Sequence, residues 1–125
     1  MVAVVVALAV GCSSSPDTAS ALVKERKDGL EELGLLLKSL AEEGRRPPDK
    51  LAALGPVEPM LPIAGPAIRN GDLIYLWGAG FAAGGNQVVA YEKKVPTDGG
   101  FVLLQDGSVK EMTAAEFQAA PKAKG

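Results

Sequence analysis

Apolar residues recur at helical spacing through the first third of the chain. Leucine or valine stands at intervals of three, four and seven, at Leu22, Val23, Leu30, Leu33, Leu37 and Leu40. Charged residues fill most of the intervening positions, which is typical of an amphipathic helix with one buried face. The sequence predicts a long helix over Pro16–Glu43. Gly29 favours a bend or a break within it, because glycine costs about 1 kcal/mol relative to alanine in a helix.

Both ends of this predicted helix carry capping signals. Ser15-Pro16-Asp17 offers an N-cap residue, a proline at the first helical position and an acid in the first turn, all of which favour a helix start. At the other end, Gly44 precedes Arg45-Arg46-Pro47-Pro48. Glycine followed by proline is a typical helix stop.

Prolines dominate the segment between Gly44 and Asp72, which contains six of them. Long regular elements are therefore not expected there. A short helical turn is predicted over Asp49–Leu54, with Asp49 as its capping residue. The remainder, "GPVEPMLPIAGPAIRNG", is apolar but interrupted, and it is interpreted as a loop laid across one face of the core.

The last third of the chain has the pattern of an antiparallel sheet. "DLIYLWG" and "QVVAYEK" are rich in aromatic and branched residues, as strands are. Phe101–Gln105 and Ser108–Met112 flank Asp106-Gly107, a pair that favours a two-residue type I′ hairpin turn. Thr113 with Glu116 forms a capping box that opens a short last helix. The expected fold is α+β, a long helix packed on three to four antiparallel strands with a short C-terminal helix.

The first twelve residues have the pattern of a targeting signal. The chain opens "MVAVVVALAVGCSSSPD", in which ten apolar residues precede Gly-Cys and a run of serines. That run is shorter than the roughly 20 residues that a membrane-spanning helix needs, so a secretory signal is the preferred interpretation. Leu8-Ala9-Val10-Gly11-Cys12 resembles the lipobox of bacterial lipoproteins, which implies lipid attachment at Cys12. A buried structural cysteine and a signal processed in another way are the alternatives.

This interpretation divides the chain into four parts. Residues 1–11 form the signal peptide, residues 12–20 a flexible tether, residues 21–120 a single domain, and residues 121–125 a tail. At 125 residues the chain has room for one domain with one modest core.

Composition narrows the function classes. The net charge is −2 and no block of basic residues occurs, so a nucleic-acid partner is not expected. Histidine is absent and Cys12 is the single cysteine. The chain therefore lacks the commonest general base, the usual zinc ligand and any Cys-x-x-Cys motif. No catalytic, cofactor-binding or metal-binding residue is predicted.

Two longer segments resemble bacterial pseudopilins and prepilin-like proteins. "DGLEELGLLLKSLAEEGRRPPDKLAAL" is similar to their amphipathic helix and its Gly-x-x-Pro exit. "VVAYEKKVPTDGGFVLLQDGSVKEMTAAEF" is similar to their C-terminal unit, with an Ala-Tyr-Glu strand, a Gly-rich link, an Asp-Gly hairpin and a Thr-x-x-Glu-Phe helix. The resemblance covers roughly residues 28–117. It implies a pseudopilin-like headpiece, although the long apolar helix with Phe and Glu that begins a prepilin has no counterpart in this sequence.

A few polar groups could in principle form chemical sites, but each has a plainer interpretation. Glu92, Asp98 and Asp106 supply oxygen ligands near the hairpins, but the alternating Asp-x-Asp spacing of a calcium loop is absent, so turn chemistry is preferred to calcium. Gly78–Gly85 lacks the Lys-Ser/Thr of a phosphate loop and is interpreted as a hairpin connection.

Arginines and aromatic residues have similarly plain interpretations. Arg45-Arg46 is interpreted as a solvated pair at a helix C-terminus rather than as a binding site for an anionic partner or lipid headgroup. Tyr75, Trp77 and Tyr91 are assigned to the sheet core rather than to an exposed anchor patch.

The expected function is that of a non-enzymatic lipoprotein of the bacterial cell envelope. Its pseudopilin-like domain would bind an envelope protein, in a secretion or pilus system, while the lipid on Cys12 holds it to a membrane and faces it to the periplasm or exterior. The alternative is a small-ligand carrier or an enzyme that uses acidic residues of the Gly-rich loops. With no histidine, no second cysteine and no paired-carboxylate motif, the sequence favours the binding protein.

Overall fold

The leucine-rich segment forms helix α1 over 24–42 in the computed structural model, which describes residues 24–124. Its buried face comprises the predicted Leu30, Leu33, Leu37 and Leu40, together with Leu36. Gly44 has a φ of 68°, and the Arg45 N–H donates to the Leu40 carbonyl at 2.8 Å. The helix thus ends at the predicted Gly44, which takes the left-handed conformation common at helix ends. Its predicted start at Pro16 lies outside the described residues.

Gly29 serves close packing, and helix α1 continues through it without a break. A Cβ at this position would lie 3.2 Å from Cγ2 of Ile63 and 3.3 Å from Cδ1 of Leu73. The missing side chain lets α1 approach its neighbours closely, which is a common use of glycine. Tertiary packing therefore outweighs the helix-breaking tendency at this position.

The helical turn predicted over Asp49–Leu54 is present as a short helix, but the remainder of the proline-rich segment is also helical, so its interpretation as a loop was wrong. Helix α2 spans Leu51–Leu54, a 3₁₀ helix spans Gly55–Met60 and helix α3 spans Ala64–Asn70. Pro56 and Pro66 stand in first turns, where the missing N–H would have no partner in the helix anyway. The segment does cover a core face as predicted, with Leu54, Val57, Leu61, Ala64 and Ile68 buried. The predicted cap at Asp49 is also wrong, because α2 begins after Lys50 without a side-chain cap.

Four strands form an antiparallel meander in chain order. They are β1 (Leu73–Tyr75), β2 (Val88–Glu92), β3 (Gly100–Leu104) and β4 (Val109–Met112). Helix α4 (Val95–Asp98) lies between β2 and β3, and helix α5 (Ala114–Ala119) follows β4. A register shift between Val88 and Ala90 marks a bulge in β2. The α+β class, with a long helix packed on this sheet, is confirmed.

The β3–β4 turn differs from the predicted type I′ geometry. Leu103 pairs with Val109, and the Leu104 N–H donates to the Ser108 carbonyl at 2.9 Å, which leaves a three-residue loop over 105–107. Among residues 24–124, positive φ occurs only at glycines, here at Gly107 with 87°. Asp106 instead accepts the Ser108 N–H at 2.9 Å, so it folds the loop through its side chain rather than through a left-handed backbone.

The sheet has a core on each face. One face packs against α1 and α3 through residues such as Leu73, Tyr75 and Leu103. The other packs against α4 and α5, where Val88, Val95, Val102, Met112 and Phe117 are buried together. Alternation of side chains along the strands places neighbouring residues such as Val102 and Leu103 in different cores.

The C-terminal end completes this second layer. The predicted capping box is confirmed, since Thr113 and Glu116 exchange both hydrogen bonds at the start of α5. The segment assigned as a tail pairs with β2, because the Val88 N–H donates to the Pro121 carbonyl at 2.9 Å and the Ala123 N–H to the Val88 carbonyl at 2.8 Å. Ala123 is buried, so residues 121–123 are packed against the domain.

Candidate functional site

Leu35 is the most exposed large apolar side chain of the described residues. It lies on α1 between the buried Leu33 and Leu37, yet 70% of its surface is accessible. Successive helical residues turn by about 100°, so Leu35 is roughly opposite the stripe that packs on the sheet. Leu35 is exposed because it lies on the solvent-facing side of α1, and it therefore does not contribute to the buried core.

Met60 is also exposed, with 57% of its surface accessible. The two side chains line an open groove of about 280 Å³ between α1 and the end of the 3₁₀ helix, together with Glu32, Leu36 and Ser39. We refer to this surface as the Leu35–Met60 groove. Adjacent exposed apolar side chains are a feature of interaction surfaces, whereas singly scattered ones need no explanation.

Glu32 holds one wall of the groove in place. Its Oε1 accepts the backbone N–H groups of Ile63 and Ala64, each at 2.9 Å. These donors belong to the first turn of α3, where N–H groups have no helical partner and a negative charge is favourable. Glu32 therefore fastens α1 to the segment that carries Met60.

An Arg–Glu pair fastens the other wall. Arg69 of α3 donates through Nε and Nη2 to the two carboxylate oxygens of Glu58, at 2.6 and 2.7 Å. The hydrogen bond to Arg69 lowers the pKa of Glu58, and the same bond raises the pKa of Arg69. Both groups are exposed to solvent, so this pair fixes geometry more than it adds stability. It links the 3₁₀ helix to α3.

Glu92, a predicted calcium candidate, joins the sheet to α1 instead. It is the one charged residue buried among residues 24–124, with 3% exposure. One carboxylate oxygen accepts the Phe101 N–H at 2.8 Å, and the other lies 3.5 Å from Nη1 of Arg26. A buried charge needs such partners. Both oxygens of Glu92 are therefore used by the protein itself.

Asp98 and Asp106 do not join Glu92 in a metal site. Asp106 accepts hydrogen bonds from the Ser108 hydroxyl and N–H, which lower its pKa. Asp98 lies at the end of α4 and lines an open cleft of about 320 Å³ with Lys94, Glu111 and Glu116. Within residues 24–124, no group of three or more acidic, histidine or cysteine residues is arranged to hold a metal ion.

The Gly-rich segment connects β1 to β2, in agreement with its interpretation as a hairpin connection. Gly78 and Gly84 have positive φ. A Cβ at Gly85 would lie 2.5 Å from Oε1 of Gln105, so this glycine is required by close packing. Phe81 packs against the larger core. These glycines therefore belong to a packed connection between β1 and β2.

The aromatic residues pack as predicted for core positions. Tyr75 is buried, donates through its hydroxyl to the Ala79 carbonyl and meets Trp77 edge-on at 5.1 Å. Burial, and then the nearby Asp49 charge, raises the pKa of Tyr75. Tyr91 packs on Phe117 in the smaller core, with the ring centroids 4.7 Å apart.

The remaining predicted positions lie apart from the groove. Arg45 is 3.5 Å from the Glu43 carboxylate at the end of α1, and both side chains are exposed, as is Arg46. Cys12, the predicted lipid-attachment residue, lies outside the described residues, as do the signal peptide and the whole tether.

Leu35 and Met60 were not singled out in the sequence. The run "LGLLLKSL" contains Leu33, Leu37 and Leu40 at buried spacing, and the periodicity leaves Leu35 within the polar arc that also holds Glu31 and Glu42. The presence of the apolar Leu35 among these charged positions was the signal in the sequence for an exposed apolar side chain. Met60 offered none, because its exposure depends on how the 3₁₀ helix packs.

No protein family, curated protein or solved structure was found to match this chain. Over residues 24–124, no helix has the length and apolar character needed to cross a membrane.

Proposed function

We propose that this chain is a non-enzymatic lipoprotein of the bacterial cell envelope whose pseudopilin-like headpiece binds a protein partner through the Leu35–Met60 groove. The groove carries this proposal, because Leu35 and Met60 are both exposed and line the same groove on the surface of the described residues. Desolvation of apolar side chains by a partner is favourable by about 25 cal/mol per Å². The pseudopilin resemblance and the lipobox-like residues before Cys12 support the envelope assignment.

Partner binding can be tested by affinity capture from detergent-solubilised envelope membranes. The bait is the tagged full chain, compared with Leu35→Ser/Met60→Ser and with Leu51→Ser. Leu51 is a matched control because it is 45% exposed but does not line the groove. A protein retained by the wild type and by Leu51→Ser, and lost from the double variant, is expected. Equal retention by all three baits would contradict binding at the groove.

The membrane anchor is a separate part of the proposal. Cys12→Ser should move the protein from the membrane to the soluble fraction, since each buried methylene of a lipid chain contributes about 0.8 kcal/mol to membrane binding. The wild type should carry an acyl mass at its processed N-terminus. Membrane association that is unchanged by Cys12→Ser, together with an unmodified wild-type mass, would rule out the lipid anchor.

A further inference from the structure

Strand β4 is the open edge of the sheet. It stands last in the strand order, and in the part of the chain that the structure describes it pairs with β3 alone. The opposite edge strand is covered, because Leu73 and Tyr75 of β1 are buried. Beyond the end of β1, residues 121–123 pair with β2 and close that side of the sheet. Lys110 and Glu111 of β4, in contrast, are exposed to solvent.

The backbone groups of Val109 and Glu111 point away from β3. Along an antiparallel strand, successive residues alternate between hydrogen-bonded and non-hydrogen-bonded pairs with the neighbouring strand. Leu103 pairs with Val109. The Leu104 N–H donates to the Ser108 carbonyl, so the hydrogen bonds of the ladder flank this pair rather than join it. Val109 and, two residues further on, Glu111 therefore direct their N–H and C=O groups outward. Among residues 24–124, no backbone hydrogen bond reaches these groups.

Such an edge matches one class of ligand, an extended polypeptide. Outward N–H and C=O groups recur at every second residue of a strand, and an added strand meets them with its own groups at the same spacing. A helix uses its backbone groups internally and would leave these unsatisfied. The sheet is antiparallel throughout, and antiparallel pairing is slightly more stable per residue than parallel pairing. An antiparallel segment therefore fits best.

A second copy of β4 fits this edge poorly. Outward residues must face outward residues in the ladder, so the two registers of greatest antiparallel overlap place Lys110 opposite Lys110 of the second copy or Glu111 opposite Glu111. Like charges directly opposite each other are destabilising. Charged side chains at an exposed edge commonly prevent the pairing of identical strands in this way.

The same two charges favour a strand of complementary sequence. Among the described residues neither Lys110 nor Glu111 forms a salt bridge, although the Lys110 charge contributes, after the Thr113 hydrogen bonds, to the lowered pKa of Glu116. Opposite charges on directly facing residues stabilise a strand pair. An acid opposite Lys110 and a base opposite Glu111 therefore select the register of the added strand.

We infer that β4 accepts an extended segment of a partner protein as an additional antiparallel strand. The segment bonds to the backbone of Val109 and Glu111, with Asp or Glu opposite Lys110 and Lys or Arg opposite Glu111. This surface is separate from the Leu35–Met60 groove, which lies between α1 and the 3₁₀ helix. The inference goes beyond the proposed function and does not depend on it.

The test is a titration of the isotope-labelled full chain in detergent, followed by NMR, with the peptide Thr-Val-Lys-Glu-Val-Thr. In the antiparallel register its glutamate faces Lys110 and its lysine faces Glu111. The amide signals of Val109 and Glu111 should shift, and their hydrogen exchange should slow. N-methylation of the lysine and the second valine removes the N–H groups that face β4 and should weaken binding about tenfold, or about 1.4 kcal/mol. N-methylation of the first valine and the glutamate, whose N–H groups face away, is the matched control and should preserve binding.

Variants of β4 test the same surface from the side of the protein. Glu111→Pro removes an outward N–H, and proline is tolerated on edge strands where that group faces solvent, so the urea midpoint should be retained while peptide binding is lost. Glu111→Thr keeps the N–H and should weaken binding only several-fold. Lys110→Glu/Glu111→Lys keeps the net charge and should prefer the peptide with lysine and glutamate exchanged. The methylated peptides decide the question if Glu111→Pro unfolds.

Four results would overturn the inference. Unshifted Val109 and Glu111 signals, or equal binding of the two methylated peptides, would exclude pairing at this edge. Loss of peptide binding in Leu35→Ser/Met60→Ser would place the peptide in the groove. Equal affinity of the wild type for both charge orders would remove the selection by Lys110 and Glu111. Concentration-dependent dimerisation that is lost in Glu111→Pro would assign the edge to a second copy.

Discussion

Leu35 and Leu37 are the same residue type, two positions apart on one helix, and the fold treats them in opposite ways. Leu37 is 3% exposed within the larger core, whereas Leu35 is 70% exposed. About 200° of helical rotation separates them. The burial of a leucine on α1 therefore depends on its direction around the helix axis rather than on its residue type. One face of α1 packs on the domain, and the other is exposed to solvent.

The two faces are also held by different contacts. The buried face approaches the sheet closely, and a Cβ at Gly34 would lie 2.9 Å from Cδ1 of Leu103 and 3.2 Å from the Gly107 carbonyl oxygen. The exposed face has the groove, whose walls are joined by the hydrogen bonds of Glu32 and the pair of Arg69 with Glu58. The buried face of α1 stabilises the fold, whereas the exposed face forms a groove whose shape these contacts fix.

The largest expected difference is between Leu37→Ala and Leu35→Ala. Leu37→Ala should lower the free energy of unfolding by about 2 to 5 kcal/mol, because it removes a buried side chain and leaves a cavity. Leu35→Ala should change it by less than about 0.5 kcal/mol, as surface substitutions usually do. Urea unfolding of both variants measures the contrast. Similar losses would mean that the two faces are not distinct.

Arg26→Met should have the next largest effect, through the buried Glu92. Arg26 is half-exposed, but its removal leaves the Glu92 carboxylate with the Phe101 N–H as its remaining partner in the described residues. Removal of one partner from a buried acceptor costs about 1 to 3 kcal/mol. Lys27→Met is the control, because Lys27 faces the exposed Glu31 at 3.9 Å. Equal urea midpoints for the two variants would show that Arg26 does not stabilise Glu92.

Gly107→Val tests the hairpin that supports the buried face of α1. Gly107 has a φ of 87°, and a left-handed backbone costs a residue with a side chain about 1 to 2 kcal/mol. A matching loss of unfolding free energy is expected. Gly55→Ala is the control, since Gly55 has a φ of −49° and no neighbour within 4 Å of an added Cβ. A wild-type midpoint for Gly107→Val would remove the requirement for this turn.

The smallest effect concerns Glu116, which is remote from both faces of α1. The Thr113 N–H bond lowers the pKa of Glu116 below its ordinary value of 4.5. A carboxylate with a lowered pKa stabilises the fold above its unfolded pKa, and this contribution is lost as the pH falls through the folded pKa. Glu116→Gln should therefore be slightly less stable than the wild type at neutral pH. The gap should close below pH 4.5, and a gap that widens with acid would contradict this assignment.

Local patterns were sufficient to predict much of this fold. The leucine spacing identified the buried face of α1, Gly44 its end, and Thr113 with Glu116 the last helix, because each signal acts within a few residues. The turn that became α2 was predicted, but the 3₁₀ helix and α3 were missed. Proline is tolerated in first turns, and the helical state of this segment depends on burial of Val57, Leu61 and Ile68. The Asp106-Gly107 pair indicated the hairpin but not its three-residue loop.

The groove was harder to foresee than the fold. Leu35 belongs to α1 and Met60 to a separate helix. Tertiary packing places both in one groove, and a local sequence pattern cannot predict such packing. The same is true of Glu92, whose partners Arg26 and Phe101 lie on either side of it in the chain and on different elements. Charge and periodicity show which side chains are available, whereas the packing of the helices decides which of them meet.

Photo-crosslinking in native envelope membranes tests the proposed role of the exposed face most directly. A photoreactive residue is placed at position 35 in one chain and at position 51 in another, each with and without Met60→Ser. A discrete protein adduct is expected from position 35, absent from position 51, and reduced by Met60→Ser at position 35 alone. Equal adduct yields from positions 35 and 51, or none from position 35, would contradict the claim that the Leu35–Met60 groove is a partner-binding surface.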